Sequence, residues 1–179
     1  MNYLKYSFLV VLSLFILTSC KLIDGWTHFE IKYSSAVTLP QDLDVNKSED
    51  VYPDQIATDL EGEVESEGYN PDKIESVELT DLILTIDVPA GVDFSFLTSA
   101  ELFMNAEGLQ EARVAWLDNV PAGVGNSLDL KTSSADLKKF LKREIVNLRL
   151  NAIINQGIAS DYLINIDATF LVDVKILGI

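Results

Sequence analysis

The sequence predicts a mainly β protein, an antiparallel β-sandwich of immunoglobulin-like general type with one short helix near residues 134–143. Three observations predict it. Apolar and polar residues alternate over long stretches, most cleanly from Tyr162 to Ile176. The β-branched runs are separated by breakers such as Pro89-Ala90-Gly91 and by a loop holding Pro121, Gly123 and Gly125. No βα unit recurs, so a parallel sheet has nothing to build it.

Taken in order, Thr27 to Tyr33 sets Phe29, Ile31 and Tyr33 on one side and His28, Glu30 and Lys32 on the other, the period of a half-buried strand. Gln41 to Gly68 then carries ten carboxylates against a single Lys47. With few large apolar side chains to offset the entropy of ordering, it reads as an acidic loop over 41–68 with one short element near Ile56 to Leu60. The alternating Glu61, Glu63, Glu65 and Glu67 read as one face of an exposed edge strand.

Lys73 to Val88 is apolar and β-branched enough for a strand, and Phe94 to Ala106 with Glu111 to Trp116 reads as a hairpin around Gly108. Leu128 and Leu130 mark another strand. At Ser133 the period changes: Leu137, Phe140 and Leu141 fall at helical spacing, and Ser133 with Asp136 resembles a capping box. Ile145 to Ile154 alternates again. The last run, at about 3.3 Å per residue, would extend roughly 50 Å, so a bulge or bend is expected.

The chain has 179 residues, the size of one ordinary domain, and a net charge of −15. Removing a leader whose one charged side chain is Lys5 takes this to −16. Such a surface repels phosphate, so nucleic acid is excluded as a partner. There is one cysteine, Cys20, so no disulfide can form within the chain.

The start explains that cysteine. Tyr6 to Leu17 is an apolar run of signal-peptide length, too short for a span of about twenty residues. It ends in Leu17-Thr18-Ser19-Cys20, which resembles the lipobox of bacterial lipoprotein precursors. The resemblance implies a signal peptide over 1–19, lipid on the Cys20 sulfur, a tether over 20–25 and a single domain over 26–179. It also implies a membrane partner through that lipid, and Lys21 after the cysteine fits outer-membrane delivery. From Lys73 onward the segments ELTDLILTI, FSFLTSAELFM, ARVAWLDNVP, SADLKKFLK and INIDATFLVDVKIL are similar to a group of small β-sandwich lipoproteins of Gram-negative bacteria. That resemblance brings no catalytic or binding residues.

Reactive chemistry finds little support. His28 is the single histidine, lies on the polar side of a strand, and has no G-x-S-x-G elbow to serve. Asp42-x-Asp44-x-Asn46-x-Ser48 begins like a calcium loop but has Lys47 where the turn glycine belongs and Pro53 in place of the bidentate glutamate. Gly123-Val124-Gly125-Asn126-Ser127 lacks a phosphate-binding lysine and reads as a turn. Trp26, Trp116 and Tyr162 are candidates for sugar stacking, although the last two fall on faces that read as core. The expectation is therefore a non-catalytic binding or structural module with no cofactor and no metal, whose partner is an envelope protein or surface polysaccharide. The alternative is a carbohydrate-active accessory protein or hydrolase using surface carboxylates.

Overall fold

The computed structural model describes residues 27–175. Two antiparallel sheets pack face to face around one continuous core, the β-sandwich expected from the alternating runs. The smaller sheet orders β1 (His28–Leu39), β10 (Tyr162–Val174), β4 (Ile74–Val88) and β7 (Ser127–Asp129). The larger orders β2 (Ser48–Val51), β9 (Ile145–Ile154), β5 (Leu97–Asn105), β6 (Ala112–Leu117) and β8 (Lys131–Thr132), and β3 (Ile56–Ala57) pairs the start of β9.

Burial follows the period of two. In β10, Tyr162, Ile164, Ile166, Ala168, Phe170, Val172 and Val174 are all buried, and in β9 so are Val146, Leu148, Leu150, Ala152 and Ile154. Their neighbours point outward, as pleating requires. The expected irregularity is present but lies on the partner strand: β1 pairs β10 without a break, whereas β4 shifts register against it three times. The buried positions of β4 show why. Ile74, Val77, Leu79, Leu82, Leu84 and Ile86 are separated by three, two, three, two and two residues. Each interval of three holds one unpaired residue, Glu75 or Thr80, that restores inward parity as a β-bulge does. In β6 the same device leaves Val114 and Ala115 buried in succession.

Leu130 links the two sheets. β7 pairs β4 while β8 pairs β6, so the chain changes sheets across this one residue, which is buried and donates its N–H to the Leu82 carbonyl at 3.0 Å.

The acidic stretch departs from expectation. It contains β2 and β3, and Glu61 to Glu67 is not an edge strand: Leu60–Ser66 forms a helix, α1. Leu60 and Val64, four residues apart, are both fully buried, and that spacing turns one helical face inward. Asp59 caps the start by accepting the Gly62 N–H, the glutamates of the first turn suit the positive end of the helix, and Gly68 at φ +83° closes it.

The expected helix near 134–143 is α2, Lys138–Leu141, but the Ser133–Asp136 capping box does not form. Instead the Asp136 carboxylate accepts the Lys138 and Val77 N–H groups, both at 3.0 Å, and so ties the helix to β4. At the open edge of the smaller sheet Tyr33 packs edge-on against Phe170, with ring centroids 6.0 Å apart. Burial raises the phenol above its ordinary pKa, and the hydroxyl makes no hydrogen bond although the Asp59 backbone lies close by.

Asp136→Ala should lower stability by about 1–2 kcal/mol by orphaning the Val77 N–H. Urea denaturation checks this, and a midpoint equal to that of the parent would show that the carboxylate does not hold α2 in place.

Candidate functional site

Pleating that buries the apolar residues of the larger sheet lifts the intervening side chains onto its outer face, where they are partly or fully exposed. Strand register then sets them in rows. One row runs Asp50, Asn151, Glu101, Trp116 and Lys131 across β2, β9, β5, β6 and β8. The next runs Arg149, Phe103 and Arg113.

Arg149 organises the face. Its Nε and Nη2 donate to the two carboxylate oxygens of Glu111 at 3.0 and 2.6 Å, and Nη1 donates to Asp50 Oδ1 at 2.7 Å. The guanidinium plane lies over the Phe103 ring, 4.1 Å from its centroid. Asn151 Nδ2 donates to the same Asp50 oxygen at 2.6 Å, and Ser48 Oγ donates to Asn151 Oδ1 at 2.8 Å. The fork geometry of arginine permits this simultaneous engagement, which a lysine could not reproduce.

A smaller copy of the motif stands beside it. Arg113 Nη1 donates to Glu101 at 2.5 Å and its guanidinium lies over Trp116 at 4.6 Å. Two arginines are thus each held between an aromatic ring and a carboxylate, in a protein with few cations.

The electrostatics follow from these contacts. Hydrogen bonds from Asn151 and then Arg149 hold the Asp50 carboxyl below the usual range, and bonds from Arg149 do the same to Glu111. The Arg149 guanidinium is raised by its two acids. Asp50 and Glu111 are brought together through one arginine, yet both are stabilised as carboxylates, the opposite of the raised pKa that a glycosidase general acid needs. The face is a set of paired charges lying over aromatic rings.

The residues named from sequence are scattered. Cys20 and the lipobox, like Trp26, lie outside the described residues. His28 begins β1 on the outer face of the smaller sheet, 3.4 Å from Asp173. The oxygens of Asp42 to Ser48 do not converge: Asp44 pairs with Lys47 at 2.6 Å, Asn46 turns the chain at φ +59°, and Ser48 is already in β2. Among the described residues no group of three or more His, Cys, Asp or Glu side chains is placed to hold a metal.

Gly123 to Asn126 is a turn leading into β7, and its Gly125 and Asn126 carbonyls accept from the Phe94 and Ile86 N–H groups. Tyr162 is core, edge-on to Phe96, but Trp116 is on the outer face and not in the core as its strand suggested. The Val114 bulge is the reason: it shifts the parity of β6 by one residue. Among the described residues one surface cleft of about 460 Å³ is lined by Glu107, Lys142, Arg143, Glu144, Ile145 and Asn147, and another of similar volume lies beside Ser35, Asp54 and Asp167.

No family model matches the chain, and no curated protein matches it. Among solved structures, a chain of Desmodium yellow mottle tymovirus aligns over 85% of this chain and 91% of its own, at 10% identity and a TM-score of 0.23. A likeness that loose says nothing of fold or function.

Arg149→Ala should destabilise the protein by about 1–2 kcal/mol at neutral pH, since it removes charge-assisted bonds that remain partly solvated. Because Asp50 and Glu111 have folded pKa values below their unfolded ones, their contribution is present above about pH 4 and is lost as pH falls through the lowered values. The stability difference between parent and variant should therefore shrink on acidification in thermal melts. A gap independent of pH would mean that packing on Phe103, not charge, is what Arg149 supplies.

Proposed function

We propose that this protein is a lipid-anchored module of the bacterial cell envelope that binds a partner without catalysis, through the outer face of its larger sheet. The observation that carries the anchoring is the leader ending in Leu17-Thr18-Ser19-Cys20, with its short apolar run and single basic residue. β1 starts at His28, eight positions after Cys20, so in this reading the sandwich sits close to the lipid. A diacylglyceryl group exceeds the one acyl chain that gives only reversible membrane binding, and so it holds the domain at the bilayer.

The binding reading rests on the arginine–aromatic rows. Arg, Trp and Phe are the side chains that anchor interfaces, and here ion pairs hold the two arginines in place over the Trp116 and Phe103 rings, which lowers the entropy that association costs. An envelope protein or a surface polysaccharide is the class of partner, and delivery to the outer membrane agrees with Lys21.

Intact-mass spectrometry of the membrane-extracted protein should give a chain beginning at Cys20 plus acyl groups, and Cys20→Ser should abolish both. An uncleaved leader or an unmodified thiol would remove the anchor from the proposal. A photo-crosslinking amino acid at Trp116, in whole cells, should capture a partner that the same group at Thr85, on the outer face of the other sheet, does not. Equal labelling from both positions would deny the larger sheet its role.

A further inference from the structure

β1 is the edge of the smaller sheet, paired by β10 along one side. In an antiparallel ladder successive residues aim their backbone groups to opposite sides. The Thr27 carbonyl accepts from Val174 on the β10 side, whereas the Ala36 carbonyl accepts from Asp54 on the other side. The even-numbered residues of β1 therefore present N–H and C=O groups away from the sheet. Ala36 is covered by Asp54, but below it the outward groups of Glu30, Lys32 and Ser34 meet no partner among the described residues.

Such an edge is open to another strand unless its side chains oppose the approach. Single charges of one sign on an edge do oppose it, yet here the signs alternate about Ile31. We propose that this edge pairs with the β1 edge of a second copy of the chain, antiparallel and centred on Ile31, joining the two smaller sheets into one. In that register Glu30 stands opposite Lys32 of the partner subunit and Lys32 opposite Glu30 of the partner subunit. Both are hydrogen-bonded pairs, because each residue aims its backbone groups outward.

Charge fixes this register against its neighbours. Moving the two-fold axis by one residue toward the N-terminus sets Glu30 against its own copy, and moving it one residue toward the C-terminus sets Lys32 against its own copy. Opposite charges facing each other favour strand pairing and like charges oppose it. The same alignment sets Phe29 opposite Tyr33 of the partner subunit, and both residues are only half-buried within one copy. The interface is isologous, each copy presenting the same edge, so it closes at two subunits.

The inference does not depend on lipidation or on the larger sheet, whose outer face remains available to a different partner. Sedimentation velocity of the full chain in detergent should give a dimer at micromolar concentration. Lys32→Glu makes every charge on the edge negative and should weaken association about tenfold. The exchanged double variant, Glu30→Lys with Lys32→Glu, keeps the alternation and should restore the dimer.

Lys32→Pro should leave the β10 pairing intact, because the lost N–H points outward, while blocking the second strand. Circular dichroism and thermal melts identify any variant that fails to fold. A parent that stays monomeric, or a folded Lys32→Pro variant that still dimerises, would overturn the proposal.

Discussion

Because β10 is hydrogen-bonded on both sides, to β1 and to β4, each of its side chains is confined to one face of the smaller sheet. Seven of its thirteen residues are apolar and inward, and shifting the strand by one position would move all of them to solvent. The neighbours must conform to that parity. β1 does so without interruption, and β4 does so only by setting residues aside in bulges. The arrangement of the smaller sheet is the consequence of keeping one strand dry on one side.

The larger sheet obeys the same rule from the other side of the core, and its outer face inherits what the rule leaves over. Every second residue of β9 and β5 is released from packing, and at these positions the sequence places Asn147, Arg149, Asn151, Glu101 and Phe103. Their convergence requires no special loop. The hairpin connection supplies Glu111 and the acidic segment supplies Asp50, so a guanidinium on a central strand finds carboxylates on both flanks. The function proposed for this face grows from the register that builds the fold.

The two outer surfaces have different characters. The larger sheet offers arginines seated on rings, with their charges already met by nearby acids. The smaller sheet offers an edge on which Glu30 and Lys32 make no ion pair among the described residues and alternate in sign. One is suited to a different molecule and the other to a second copy of the chain.

The strands were legible in the sequence wherever alternation was long, as in β9, β10 and the start of β1, since the period of two is a local property that survives in any antiparallel sheet. The bulges of β4 were present in the spacing of its apolar residues, but only a partner strand shows which residue is set aside. The glutamate-rich helix was misread because alternating Glu residues outweighed the pair Leu60 and Val64, although the Asp59 cap and Gly68 were there to be seen. The expectation for Cys20 rests wholly on the sequence, because a lipobox is a linear signal and these residues lie outside the described ones. The Arg149 network belongs wholly to the tertiary structure: Asp50, Glu111 and Arg149 are far apart in the chain, and nothing local brings them together. Only the lateral order of strands, set by the burial of the opposite face, places those charges within hydrogen-bonding distance.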